Sequence, residues 1–191
     1  MEKALSQQRS NCLRVVLYGP ESSGKTTMAQ ALAKTFQTTW VPEFAREFLQ
    51  NKWDTHQEVC TLEDLHHIAI GQMAAENKAL KQAKKVLFCD TNVWVTKVWS
   101  ETHFEGYCSP ELNLWTKQVS YDHYLLTSPD IPWEKDDLRD RPNDREAQFA
   151  YFEKMLLEHD LPYTTLNGNH QIRLKQATKV VESLIKKRYA H

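Results

Sequence analysis

Apolar positions fall along this chain in two alternating patterns. Leu13-Arg14-Val15-Val16-Leu17-Tyr18 is a β-branched-rich run typical of a buried strand. From Thr26 to Phe36 the period changes, and Met28, Ala29, Leu32, Ala33 and Phe36 recur at helical spacing. Thr38–Val41 then predicts a short strand and Glu43–Gln50 a helix. Thr61–Lys85 predicts a long helix with Leu65, Ile68, Ala69, Met73 and Leu80 on one face. Val86-Leu87-Phe88-Cys89 is continuously apolar and ends in Asp90, as a buried parallel strand does. Tyr121–Thr127 and Tyr163–Leu166 read as further strands. Ile172–Arg188 closes the chain as a helix, with Ala177, Val180, Val181, Leu184 and Ile185 turned inward. Strands alternating with helices imply an α/β, three-layer arrangement, a mostly parallel sheet with helices on both faces. No repeat, low-complexity tract or linker interrupts it, so residues 1–12 read as a polar tail and 13–191 as a single domain.

Composition narrows the setting. The 191 residues carry 24 Lys plus Arg against 25 Asp plus Glu, a net charge of −1, with 41% hydrophobic positions. That balance is globular, and it gives no overall pull on nucleic acid or an anionic membrane surface. No apolar stretch approaches the length of a membrane span, and Met1–Asn11 lacks the apolar core of a signal peptide. Cys12, Cys60, Cys89 and Cys108 are dispersed and read as reduced thiols, which predicts a cytoplasmic protein. The eight histidines show no metal-ligand spacing.

Glycine is scarce, with five in the chain, so its placement is informative. Two fall in Gly19-Pro20-Glu21-Ser22-Ser23-Gly24-Lys25-Thr26, the G-x-x-x-x-G-K-[ST] phosphate-binding loop, set between a strand and a helix as that motif requires. Backbone N–H groups at a helix N-terminus cradle phosphates, helped by the helix dipole. Gly19, Glu21, Ser22, Ser23, Gly24, Lys25, Thr26 and Thr27 are therefore the nucleotide-binding candidates. Lys25 is expected to reach the β- and γ-phosphates, and the Thr26 hydroxyl to ligate Mg²⁺. The reading is a P-loop NTPase or kinase-like fold using ATP and Mg²⁺.

In such sheets ligands bind at the carboxyl ends of the strands. Three acid-bearing segments follow strands there: Pro42-Glu43-Phe44-Ala45-Arg46-Glu47, Asp90-Thr91-Asn92 and Thr127-Ser128-Pro129-Asp130. Asp90, directly after four apolar residues, is the natural Walker B-type acid, aimed at Mg²⁺ or its waters. Glu43 or Asp90 is the candidate proton acceptor for an attacking hydroxyl, and Arg46 a candidate phosphate or substrate ligand. Trp133–Arg145 reads as a lid, with Arg139 and Arg141 as candidate catalytic cations and Arg145 beside them. Phosphoryl transfer calls for such cations, because charge spreads over the equatorial oxygens in the transition state.

Five segments, GPESSGKTT, TWVPEFAREFL, LFCDTNVWVTKVW, YDHYLLTSPDIPW and DDLRDRPNDRE, resemble the ribosylnicotinamide kinase domain of NadR-type proteins. The resemblance runs in order from about Arg14 to Ile185. It implies a P-loop kinase fold and transfer of the ATP γ-phosphate to the 5′-hydroxyl of nicotinamide riboside, giving nicotinamide mononucleotide. Two departures matter. Asn92 stands where family members often carry a second acid, and the dozen residues before the first strand hold neither a DNA-binding nor an adenylyltransferase domain, so those activities are not carried over.

A cationic pyridinium ring calls for aromatic stacking and cation–π attraction. Six tryptophans are many for 191 residues, and of Trp94, Trp99, Tyr107, Trp115 and Trp133, which flank the site segments, Trp99, Tyr107 and Trp133 are the leading candidates. Asp130 or Asp90 is a candidate partner of the ribose hydroxyls. Asn167 and Gly168, after the last strand, are candidates for the adenine end. A kinase of another small nucleoside shares every part except the base pocket. A regulatory module that merely binds ATP needs neither Glu43 nor the lid, and a nucleic-acid-acting ATPase needs a basic stripe that is missing.

Overall fold

The structure, a computed structural model, describes residues 5–136, 138–139 and 142–190. Strands β1 (Leu13–Tyr18), β2 (Trp40–Val41), β3 (Val86–Asp90), β4 (His123–Thr127) and β5 (Tyr163–Leu166) alternate with helices α1 (Lys25–Thr35), α2 (Phe44–His56), α3 (Leu62–Leu80), α4 (Val93–His103), α5 (Pro110–Gln118), α6 (Arg145–Glu158) and α7 (His170–Tyr189). The strands form one sheet in the order β2-β3-β1-β4-β5, every neighbouring pair parallel. The fold is the α/β P-loop kinase-like arrangement expected from the alternation of periods.

Each strand divides its residues between two cores, as a pleat of period two demands. Leu13, Val15 and Leu17 of β1, with Phe88 and Leu125, pack on Met28 and Leu32 of α1 and Ala177 and Val181 of α7. Val16 and Tyr18, with Leu87, Cys89 and Leu126, face Ala69 and Met73 of α3, Val98 of α4 and Phe152 of α6. Burial on both faces explains why β3 reads as an unbroken apolar run up to Asp90 and β1 as one broken only by Arg14.

Caps set the helix starts. Thr61 and Asp64 form a reciprocal capping box at α3. The Asn92 side chain accepts from the Trp94 and Val95 amides at α4, and Ser109 accepts from Leu112 ahead of Pro110 at α5. The helix expected over Thr61–Lys85 stops at Leu80, because Gln82 and Ala83 turn back onto Ala79 and the Lys84 amide donates to Thr38 Oγ1. The helix expected over Glu43–Gln50 runs on to His56 and ends at Gln57 in the left-handed conformation.

Ahead of β1 the tail is docked. Leu5 is buried in the core on the α3 side, the Asn77 amide donates to Ser6 O, and the Gln8 amide donates to Asn77 Oδ1. A second internal polar contact lies on the same side. The Tyr121 hydroxyl stands 3.0 and 2.9 Å from the two carboxylate oxygens of Glu76, which is fully enclosed. Burial pushes the Glu76 carboxyl up to about 8, against the opposing pull of Tyr121 and Arg14.

Candidate functional site

The carboxyl ends of all the strands open on one edge, and the loop after β1 wraps there. Gly19 lies where a Cβ atom would meet Thr127 Oγ1 at 2.8 Å and Thr127 O at 2.9 Å, so only glycine lets the loop lie against the end of β4. Ser22 takes a positive φ of 51°, which turns successive amides to one side in the manner of an anion-binding nest. The Ser23 hydroxyl donates to Pro20 O at 2.7 Å and lies 2.6 Å from Thr127 Oγ1. Lys25 Nζ donates to Pro20 O at 2.7 Å, which folds its ammonium over the mouth of the loop. From the outer side Arg145 donates to Ser22 O, and Arg173 to Ser23 O.

Beside the loop, the Thr26 hydroxyl donates to Asp90 Oδ2 at 2.5 Å. The other carboxylate oxygen, Asp90 Oδ1, is buried and has no hydrogen-bond partner among the described residues. Burial pushes Asp90 up to about 7, with the negative charge of Glu43 adding to it and Lys25, Thr26 and Arg46 opposing. Glu43 occupies the N-cap position of α2, yet its carboxylate makes no capping bond and lines the open cavity instead. Gln72, buried on α3, joins these parts. It accepts from the Phe44 amide at 2.9 Å, and its own amide lies 3.5 Å from the carbonyls of Asp90 and Thr91. Gly71 makes the approach of α2 possible, since a Cβ there would stand 2.3 Å from the Phe44 ring. A carboxylate with an orphaned oxygen beside a threonine hydroxyl suits a hard cation with oxygen ligands, and Thr26 and Asp90 are the residues that fit Mg²⁺. No three His, Cys, Asp or Glu side chains cluster for a metal among the described residues.

The loop opens into a cavity of about 530 Å³ that runs from residues 21–27 to an aromatic and apolar end. That end is walled by Leu49 and Trp53 of α2, Val59 and Cys60 of the following turn, Leu65 of α3, and Trp99, His103 and Phe104 at the end of α4. Trp99 stacks on His103 with centroids 5.0 Å apart and planes 8° from parallel. Burial and the charge of Asp64 push the Cys60 thiol up to about 12, so it serves as neutral wall. Arg46 and Arg139 also line the cavity, and both are held by Asp136, at 2.7 and 3.1 Å.

A family model described as an AAA domain matches residues 14–173. The chain belongs to that family. This AAA-domain chain is also 29% identical over 174 residues to the trifunctional NAD biosynthesis/regulator protein NadR of Salmonella typhimurium, across 90% of its own length and 42% of that protein's. It thus spans less than half of the curated relative it matches. The crystal structure of a NadR protein in complex with NR (nicotinamide riboside) superposes with a TM-score of 0.75 at 21% identity, covering 90% of this chain and 51% of that one. A deoxyadenosine kinase from M. mycoides superposes with a TM-score of 0.60 at 12% identity, covering 90% of this chain and all of that one. The NadR-type resemblance carried by the sequence motifs is borne out over nine-tenths of the chain, and the solved neighbours share the fold.

Within the AAA-domain chain, the expected site residues divide by position. Glu21–Thr27, Glu43, Arg46, Trp99 and Arg139 all line the cavity, and Asp90 sits behind Thr26. Tyr107 and Trp133 stand apart from that lining: the Tyr107 side chain is half exposed, and Trp133 lies under the Arg145 guanidinium at 5.7 Å. Asp130 accepts from the Gly168 amide and pairs with Arg173, so its carboxylate is engaged on the outer side of the loop. Asn167 and Gly168 belong to the same cluster, with Asn167 joined to Gln176. Arg141 lies outside the described residues. Asn92, the departure from the acid, is wholly used in capping α4 and donating to the Tyr124 hydroxyl at 3.4 Å. Sequence reasoning missed Trp53, His103, Phe104, Gln72 and Arg173. Trp53 lies beyond the helix expected over Glu43–Gln50, and Arg173 falls inside the expected Ile172–Arg188 helix with no local signal of its contacts.

Proposed function

We propose that this protein is an ATP-dependent kinase that phosphorylates the 5′-hydroxyl of nicotinamide riboside. One observation carries the reading: a single cavity joins the phosphate loop to an aromatic-walled end, with Glu43 at the junction. The likeness to NadR, including a NadR structure holding NR, supports this acceptor.

In this mechanism the triphosphate lies on the amides of residues 21–27, and Lys25 leaves Pro20 O for the β- and γ-phosphates. Mg²⁺, held by Thr26 and Asp90, supplies charge neutralisation on the phosphate oxygens when bound. Trp99 and its aromatic neighbours take the pyridinium ring, placing the ribose towards Glu43. The ribose oxygen forms a bond to the γ-phosphorus as the bond to the β-bridging oxygen breaks, and ADP leaves. Glu43 takes the hydroxyl proton, since its carboxylate faces the cavity whereas Asp90 is bound to Thr26. Arg46 and Arg139 exchange Asp136 for phosphate oxygens as the segment after β4 serves as a lid. The reaction belongs in the cytoplasm, in keeping with four free cysteines. No helix among the described residues is long and apolar enough to cross a membrane.

The test is to incubate the purified chain with MgATP and a panel of nucleosides and follow phosphorylated product. Selective formation of nicotinamide mononucleotide, lost in Lys25→Ala, is the expected result. Preference for another nucleoside would refute the acceptor, and bound ATP with no transfer would leave a nucleotide-binding module.

A further inference from the structure

Arg173, in the first turn of α7, sits behind the phosphate loop with its side chain 3% exposed. Its Nε donates to Gly168 O at 2.8 Å, one terminal nitrogen to Ser23 O at 2.7 Å, and the other to Ser128 O at 2.8 Å and to Asp130. One planar group thus ties together the segments that follow β1, β4 and β5. In a planar trans peptide the C=O and N–H point in opposite directions. The carbonyl that Arg173 draws outward belongs to the Ser23–Gly24 peptide, so the Gly24 N–H is turned to the inner side of the loop. Arg145 acts one peptide earlier: by holding Ser22 O at 2.9 Å it turns the Ser23 N–H the same way. Neither amide has an acceptor among the described residues.

We propose that Arg173 is a positioning residue of the nucleotide site. It fixes the peptide plane that aims the loop amides at phosphate and locks the loop to the turn carrying Asn167 and Gly168. It acts from outside, without touching the nucleotide, and its charge is already paired with Asp130. Three carbonyls in one plane call for the guanidinium fork, and a lysine ammonium cannot meet them together. The proposal rests on reading the loop as a triphosphate cradle.

Calorimetric titration with MgATP and with inorganic tripolyphosphate, melting temperature followed in parallel, tests it in wild type, Lys25→Ala, Arg173→Lys and Asp130→Asn. The expected outcome is that Arg173→Lys, folded, binds both ligands about tenfold more weakly, while Asp130→Asn, which keeps the three carbonyl bonds, stays within about twofold of wild type. Arg173→Ala supplies a second arm: added guanidinium at millimolar concentration is expected to restore affinity for both ligands without shifting the melting temperature. Unchanged binding of both ligands in folded Arg173→Lys overturns the proposal. Weakened ATP with unchanged tripolyphosphate also overturns it, since Arg173 then serves the β5–α7 turn alone. If wild type binds neither ligand, the cradle reading itself falls and takes this one with it, a failure visible before any Arg173 variant is measured.

Discussion

The two ends of the cavity are built by opposite means. The phosphate end is made of backbone: a short run of amides between Gly19 and Thr27, braced through carbonyls by Lys25, Arg145 and Arg173. The aromatic end is made of side chains from α2, the turn after it, α3 and α4, and its shape depends on how those helices pack. A backbone site can be written in one contiguous motif and suits a ligand shared by many proteins. A side-chain site has to be assembled from distant positions, and each of them can change to suit a different acceptor.

The sharpest attempt to break this division is Lys25→Ala. It is expected to lower phosphoryl transfer by about 10³-fold while leaving acceptor binding intact, read by tryptophan fluorescence on titration with the riboside. Joint loss of both would show the two ends to be one cooperative unit. Next comes Glu43→Gln at the junction, with an expected fall in kcat of about 10²-fold and an unchanged Kd for MgATP. A kcat near wild type would move the proton to another group. Trp99→Ala addresses the aromatic end alone: the KM for nicotinamide riboside should rise about tenfold while the KM for ATP holds, as steady-state rates at varied concentrations of each substrate will reveal.

A further test concerns Glu76, which lines neither end and acts on stability. Its carboxyl titrates near 8 in the fold against an ordinary value of 4.5, so the folded protein keeps a proton that the unfolded chain releases. Stability therefore falls as the pH climbs from the ordinary value through about 8, because the native state binds the extra proton. Urea midpoints of wild type at pH 6 and pH 8.5 should differ in that sense, and Glu76→Gln should shrink the difference. Equal slopes in both proteins would assign the pH dependence elsewhere.

The same division explains what the sequence disclosed. All five strands were legible, β1 and β3 because burial along their whole length leaves a run rich in apolar residues, and the phosphate loop because its chemistry is local. Helices α4, α5 and α6 received no assigned element. Within α4, Val93, Trp94, Val95, Thr96, Lys97 and Val98 are all buried, which erases the one-sided stripe that marks a surface helix. Trp53 was hidden because the predicted helix stopped three residues short of it. Tyr107 drew attention by its chemistry alone, and its position beyond the end of α4 turns it to solvent. Asp90 was readable from the run before it, but the orphaned oxygen that distinguishes it from a helix cap is a property of packing.

The bond from Arg173 to Ser23 spans 150 residues of chain. Ribosomes add about 5–20 residues per second, so the phosphate loop leaves the synthesis site on the order of ten seconds before the guanidinium that braces it. During that interval the loop exists as sequence without its brace. Capture of nucleotide in the form described here is therefore a late event in the birth of the molecule, timed by the arrival of α7.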